Sequence, residues 1–398
     1  MVAIPSSDMC LKIAKQMRPR LTNLRHEFAQ HPEVAPGLHH TRAKITKQFK
    51  KTPWTPITLT HSESLCYELH TGKPGPQLLF CANAYGTALM DQDTQKQHSH
   101  ILGFTHRIHN HDAEITTLIG LGRILSRFEE HLCGTIRLLF IADDILNLGA
   151  YHELNQKVFN TMRYATNFEF SNRYYDQRIY YQYEFSKPRI DELDISFRDH
   201  TSTQTILMAA KLITQLPNLL RQTLGDLTPL SLKFNKIHAS EARSIHPNTI
   251  DISGRLYSYD KDLTYAAVDI ITDLVQRQML GQEALIQTRP YLPTLYNDTH
   301  WLNQLLPILE QLVSAEHLIE TPIPCLENNY FAVISETMAC VQLTLGTRKV
   351  GEESSASPVF QDSCMSVALA AALGIIFRYI NKDHNVVSGQ FDGGNKKS

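Results

Sequence analysis

The sequence predicts an α/β protein: one discontinuous domain with a mainly parallel sheet, interrupted by an inserted α+β domain. Two observations carry this reading. In the first half an apolar strand, an amphipathic helix and a second apolar strand follow one another, the order expected of a parallel sheet covered by helices. Beyond Tyr180 the strands alternate, as in a sheet with one wet face, and after Tyr291-Leu292-Pro293 the buried pattern returns. The boundaries read from these changes are residues 1–178 with 293–398 for the α/β domain and 179–292 for the insertion. With 398 residues, a prior of roughly 150 per domain agrees.

Residues 12–28 carry apolar positions at helical spacing and lead to a loop at His31-Pro32-Glu33. The run QLLFCA at 77–82 reads as a buried strand. Residues 112–128 read as a helix: Asp112 can cap it, Glu114 suits its positive end, and Ile115, Leu118, Leu121, Ile124, Leu125 and Phe128 recur at three and four. GTIRLLFI at 134–141 is a second buried strand ending at Asp143-Asp144. In the insertion, 180–185, 230–238 and 249–257 read as strands, and 203–220 and 260–278 as helices. The returning chain gives a helix at 302–313, strands at 331–335 and 340–345, and a helix at 364–379. The Gly/Lys/Asn-rich stretch 388–398 reads as frayed.

Composition narrows the class. Hydrophobic residues at 42% and charged residues at 20% allow a large core and exclude a disordered chain. A net charge of −2 argues against gripping nucleic acid or an anionic membrane through bulk charge. The seven cysteines are scattered and form no CxxC pair, which fits buried thiols in a reducing compartment. The first twenty residues lack an apolar signal core, and the longest apolar run, 367–377, is too short to span a bilayer. The expectation is a cytoplasmic protein with neither membrane nor nucleic-acid partner.

With 19 histidines, metal or acid–base chemistry comes first. His109 and His111, two residues apart before the predicted helix, can face one point from an extended segment, and imidazole suits zinc, nickel or manganese. The plain alternative is a polar loop with capping duty. Asp143-Asp144 ends a strand at the same side of the sheet, where one carboxylate can bind a metal and the other handle a proton; the plain alternative is a turn signal. Glu169 lies among aromatics, costly for an acid unless paired or metal-bound, or else sits on an exposed strand edge. His200, His238 and His246 fall in the insertion, where a surface role competes with a catalytic one. No GxSxG elbow and neither GxGxxG nor GxxxxGK[ST] is present, which sets aside serine-hydrolase and those nucleotide chemistries.

In order and spacing these segments resemble the co-catalytic zinc amidohydrolases and metallopeptidases that include aminoacylases, hippurate hydrolases and indoleacetyl-amino-acid hydrolases. LRHEFAQHPEVAPGLHHT at 24–41 is similar to the family's R-x-x-x-H-x-x-P-E-x-x-x-x-E-x-x-T, keeping Pro32, Glu33 and Thr41 and losing a histidine at Ala29 and a glutamate at Leu38. Residues 104–117 resemble M-H-A-C-G-H-D-x-H-T, with His109 at the metal-binding cysteine, His111 at the metal-binding histidine and Asp112 at the aspartate. Residues 134–144 resemble G-T-[VI]-R-[LV]-[IL]-F-Q-P-A-E-E. A one-residue gap puts Asp143 on the general base and Asp144 on the metal ligand; without the gap Asp144 takes the base position and Ile145 the ligand position. Glu169 falls where a histidine or acid binds the second metal, and Ala242, Pro247 and Gly254 keep part of the lid signature.

The departures are as informative. A-D-M-D-A-L-P appears as Ala82-Asn83-Ala84-Tyr85-Gly86-Thr87-Ala88, without its acids, and the histidine of H-S-P-x-F is Ala356. Asp143 is one methylene shorter than glutamate, and a misplacement of about 1 Å can cost on the order of a hundredfold in rate. The resemblance implies a catalytic-type α/β domain plus a lid and dimerisation domain, and hydrolysis of an N-acyl amino acid, amide conjugate or short peptide. It implies a divalent metal at one site at most, held by His109, His111, Asp144 and Glu169. Asp143 would be the base, His200 or His238 would support the oxyanion, and the inserted domain would form a homodimer. The alternative is an inactive relative, without metal, that serves as a binding or scaffold protein.

Overall fold

The structure, a computed structural model, describes residues 5–34, 36–86, 110–198, 205–225, 228–239, 249–278, 283–321, 327–351 and 359–390; at 198, 205, 278, 283 and 380–390 it describes the backbone alone. The chain opens with α1 (Ser7–Ala29), α2 (His39–Phe49), β1 (Thr55–Ile57), β2 (Leu65–His70), β3 (Gln77–Asn83) and α3 (His111–Leu125). β4 (Thr135–Ile141), α4 (Leu148–Leu154), β5 (Tyr164–Tyr175), β6 (Ile179–Tyr181) and β7 (Glu184–Lys187) follow. Next come β8 (Arg189–Arg198), α5 (Thr205–Leu224), β9 (Leu230–Ala239), β10 (Thr249–Ser258), α6 (Lys261–Gln278) and β11 (Glu283–Leu292). The chain ends with β12 (Leu295–Asn297), α7 (Thr299–Val313), β13 (Leu318–Glu320), α8 (Phe331–Ser335), β14 (Ala339–Arg348) and α9 (Ser363–Gln390).

Two compact units result. One holds residues 1–184, 297–322 and 334–398, and the other holds 185–296 with 323–333. The larger unit is built on a sheet of order β1-β2-β4-β3-β5-β14-β6-β13. Its centre is parallel, β4 to β3 to β5 to β14, and β2 and β6 join that centre antiparallel. The mainly parallel α/β layer expected from the sequence is therefore present.

The central strands are apolar on both faces because helices cover them. Leu78, Phe80, Ile136, Leu138, Val341 and Leu343 are buried in one core with Leu21 and Phe28 of α1, Ile115 and Leu118 of α3, Trp301 of α7 and Leu369 of α9. Each such side chain contributes about 1.5–3 kcal/mol by leaving water. The smaller unit is the antiparallel sheet β11-β8-β10-β9. One face buries Leu193, Ile195, Ile250 and Ile252 under α5 and α6, and the period-two pattern of 249–257 comes from this one-sided cover.

Several elements differ from expectation. Residues 331–335 form a helix, not a strand; FAVIS is a short apolar run whose periodicity fits either state. The aromatic run 180–185 is broken into β6 and β7. The last helix extends to Gln390, past both the Tyr379 end and the start of the segment read as frayed; residues 391–398 lie outside the described set.

A carboxylate fixes the loop that leads into β2. Glu153, buried on α4, accepts from Thr60 N at 2.8 Å, Thr60 Oγ1 at 2.9 Å, His61 N at 2.8 Å and Lys157 Nζ at 2.7 Å. Burial alone would raise its pKa, but these donors outweigh burial and bring it down to about 2. Stability from this clamp is present above the ordinary value of 4.5 and is lost as pH falls toward 2. Glu153→Gln is expected to destabilise the fold at neutral pH, and the gap from wild type should shrink across that window. Urea midpoints measured along an acid series check this, and a gap independent of pH would refute the clamp.

Candidate functional site

The site lies where the central strands end and α3 begins. Asn110 precedes α3 in the left-handed region at φ 51°, which asparagine tolerates, and its Nδ2 donates to the Phe170 carbonyl of β5 at 2.9 Å. That bond ties the start of α3 to the strand that carries Glu169. His111 is the first residue of the helix and is buried. Its Nδ1 lies 2.7 Å from the Tyr85 carbonyl oxygen, and the Tyr85 ring packs edge-on with centroids 4.6 Å apart. A carbonyl partner at Nδ1 makes that nitrogen the protonated one and leaves the lone pair on Nε2, the tautomer a metal-ligating histidine takes.

Asp112 faces the other way. Its Oδ2 accepts from Arg25 Nη1 of α1 at 3.0 Å, and Arg25 Nε reaches Asp362 at 2.7 Å before α9. Arg25 is itself buried, with its guanidinium 4.3 Å over the Phe360 ring. Burial opposes its charge, but Asp112 and Asp362 raise its pKa above the ordinary value. The pair holds α1, α3 and the start of α9 together from behind His111.

Asp143 and Asp144 follow β4 in a short 3-10 turn, both half-buried. Asp144 accepts from Ser62 Oγ at 3.1 Å and from the Glu63 backbone N. Its pKa is raised by burial, against the pull of those two donors. Burial also raises Asp143, with further lift from the charges of Asp144 and Glu63. Glu169, half-buried on β5, accepts from Thr344 Oγ1 of β14 at 3.1 Å, directly across the parallel register. It therefore sits on a central strand and not on the exposed edge offered as its plain alternative.

Beneath these groups lies a buried polar line that sequence reading missed. Glu114 of α3 is fully enclosed, and its Oε2 accepts from Asn83 N at 2.9 Å, Asn83 Nδ2 at 3.0 Å and Asn167 Nδ2 at 3.1 Å. Asn167 Oδ1 accepts from Gln342 Nε2 at 2.7 Å. Among the described residues, Glu114 Oε1, Asn83 Oδ1 and Gln342 Oε1 have no hydrogen-bond partner. Burial drives the Glu114 pKa up to about 8, more than the three donors bring it down. The signal in the sequence was a carboxamide side chain within each of three strands, Asn83, Asn167 and Gln342.

Of the predicted site residues, His109 and His200 lie outside the described residues, as do His246 and Ala356. His238 is exposed on β9, the edge strand of the smaller unit's sheet. Among the described residues no three His, Cys, Asp or Glu side chains stand together so as to hold a metal ion; His111, Asp144 and Glu169 alone do not form a cation site. Glu33, kept in the N-terminal segment, caps α2 by accepting from His40 N at 2.9 Å and Thr41 N at 2.7 Å.

No family model matches the chain. It is 19% identical over 300 residues to an N-acetylcysteine deacetylase of Bacillus subtilis (strain 168), spanning 73% of this chain and 79% of that one. Among solved structures, a protein described as an aminohydrolase from methicillin-resistant Staphylococcus aureus matches with TM-score 0.79 at 14% identity, covering 94% of this chain and all of that one. A dinuclear metal-binding peptidase of the M20 family from Bacillus subtilis matches with TM-score 0.74 at 17% identity, covering 92% of this chain and 99% of that one. The resemblance seen in the sequence holds: the chain has the fold of the metal amidohydrolases and peptidases. Among the described residues no helix is long and apolar enough to cross a membrane.

Two outcomes follow from the buried charges. Folding raises Glu114 from 4.5 to about 8, so the native state keeps a proton that the unfolded chain has lost, and stability falls as pH rises through that interval. Glu114→Gln imitates the protonated acid and should flatten that fall in urea midpoints taken between pH 4.5 and 8; an unchanged slope would refute the assignment. Arg25→Met should cost about 3–5 kcal/mol by stranding Asp112 in the core. Removing Arg277 from its exposed pair with Asp273 should cost about 0–1 kcal/mol. Equal costs by chemical denaturation would contradict this.

Proposed function

We propose that this chain is a hydrolase of amide bonds, acting on an N-acyl amino acid, amide conjugate or short peptide. The observation that carries the reading is the His111 imidazole, buried at the helix start with Nδ1 held on the Tyr85 carbonyl, in a fold shared with a dinuclear metal-binding peptidase. The deacetylase match over most of the chain supports the same substrate class. A divalent cation (zinc, nickel or manganese) would be held by His109 and His111 with one of the two carboxylates, Asp144 or Glu169, since His111, Asp144 and Glu169 do not converge on one point. Such an ion supplies polarisation of the amide carbonyl and a more acidic bound water.

The chain's own groups divide the remaining work. Asp143, with its proton affinity raised by burial and by neighbouring carboxylates, suits a base that takes a proton from water and returns it to the leaving amine. The Ser62 and Glu63 donors orient Asp144, and the Glu153 clamp fixes the loop from which they come. His200 and His238 remain the candidates for supporting the oxyanion, and the smaller unit the candidate for a homodimer interface. A second reading, a binding protein without turnover, is favoured by the family-like residues lost at Ala29, Asn83, Tyr85, Asp143 and Ala356.

Metal analysis of protein purified without chelators, together with assays on a panel of acyl-amino acids and dipeptides, separates the two. Stoichiometric metal with turnover is expected, both lost by on the order of a hundredfold in His111→Ala and Asp144→Ala. Folded protein with neither metal nor turnover would overturn the hydrolase reading and leave the binding protein.

A further inference from the structure

Away from the strand ends, the far end of α3 opens onto a cavity of about 240 Å³ whose lining has four cations and no acid. Arg20 comes from α1, Lys51 from the turn after α2, and Arg123 and Arg127 from the last turn of α3 and just past it. Among the described residues none of the four has an ion-pair partner. Arg123 spends one Nη2 hydrogen bond on Gln48 Oε1 at 3.1 Å, and its Nε has no partner. Lys51 is held in the left-handed region at φ 59°, closed by Thr52 Oγ1 donating to the Phe49 carbonyl at 2.6 Å. Ser126 Oγ donates to the Gly122 carbonyl at 2.8 Å. Both lining hydroxyls have thus committed their hydrogens, and the side-chain donors left to a ligand are guanidinium and ammonium N–H groups.

Bringing four like charges from three elements around one concavity is unfavourable unless something offsets it. The mutual repulsion shows at Arg123, whose proton affinity is lowered by burial and then by Arg20 and Arg127. We infer that this cavity is a binding site for a compact polyanion of the phosphate class, gripped by Arg20, Lys51, Arg123 and Arg127. Guanidinium forks match the geometry of phosphate oxygens and bind them with charge-assisted hydrogen bonds. The volume lies just below the range of about 300–1,000 Å³ typical of sites that enclose whole drug-sized ligands. It accommodates one or two phosphate groups, with any remainder of the molecule projecting into solvent.

The site is separate from the proposed hydrolytic one. His111 and Leu125 bound α3, and at about 1.5 Å of rise per residue roughly 20 Å of helix lies between the two ends. The ligand is therefore not the amide substrate but a second molecule, either free inorganic phosphate or a phosphorylated metabolite.

Titration calorimetry with sodium phosphate, pyrophosphate and ADP at matched ionic strength, with chloride as control, tests this. Saturable binding of at least one is expected, weakened roughly tenfold or more in Arg20→Ala/Arg127→Ala. Both residues are exposed, so the double variant should unfold at the wild-type temperature when no ligand is present; Lys51→Ser is a second variant should it not. Tighter binding of ADP than of either inorganic ion would point to a phosphorylated metabolite, and equal or tighter binding of the inorganic ions to a free one. No saturation below on the order of 10 mM, or unchanged affinity in both variants, would overturn the site.

Discussion

A carboxyl with no access to water governs how the middle of this sheet is built. Glu114 enters the core from α3 and gathers Asn83 from β3 and Asn167 from β5, and Asn167 in turn engages Gln342 on β14. A charge in that position would cost several kcal/mol; with the pKa near 8 the group is largely neutral at physiological pH. Neutrality does not make the line free. Each amide must point the correct way for its neighbour to be satisfied, so three parallel strands and one helix are locked in a single register. Apolar packing alone tolerates slippage, and this line does not.

Three further carboxylates repeat the device at the rim. Glu33 closes the N-terminus of α2, Glu153 closes the turn at Thr60-His61, and Asp112 anchors α3 on Arg25. In each case the acid bonds to backbone N–H groups, as Glu33 and Glu153 do, or to a cation buried with it, as Asp112 does, so the bond constrains a loop or a helix start instead of decorating a surface. His111 inherits its position from the last of these, the Asp112 tie to α1, together with the Asn110 amide bonded to β5, and its orientation from the Tyr85 carbonyl. The candidate chemistry therefore rests on rigid elements: His111 opens α3, Glu169 lies on β5, and Asp143-Asp144 follow directly on β4.

Long apolar patterns made much of the fold legible. QLLFCA and GTIRLLFI could be little else than buried strands, and the period of α3 was plain from Ile115 to Leu125. Legibility failed where local pattern and tertiary setting part. FAVIS is helical where a strand was expected, because four apolar residues and a serine carry no period that decides between the two. β5 was not singled out as a strand, because its aromatic and polar alternation from Tyr164 to Tyr175 only makes sense between β3 and β14. At the site, His111, Asp143, Asp144 and Glu169 stood out by residue type and by family-like order. Arg25 and Glu114 did not, since a lone arginine in an amphipathic helix and a glutamate in a first helical turn have ordinary explanations on the surface. Only burial reveals what they do.

The charge layout of α3 follows its dipole only in part. Asp112 and Glu114 occupy its positive end and Arg123 and Arg127 its negative end, the arrangement its dipole favours at both. Dipole matching explains a cation at each of the last positions but not Arg20 and Lys51 arriving from other elements. Nor does the helix end need four cations to satisfy its carbonyls. Gly122 O already accepts from Trp54 Nε1 at 2.9 Å and from Ser126 Oγ at 2.8 Å, as well as from the Ser126 backbone N at 3.1 Å. With that carbonyl bonded three times over, much of the helix's negative terminus is spent on protein donors, and the positive charge around the cavity exceeds what the helix can absorb. The excess is the physical reason to look for an anion there, and it stands whatever chemistry the opposite end of α3 performs.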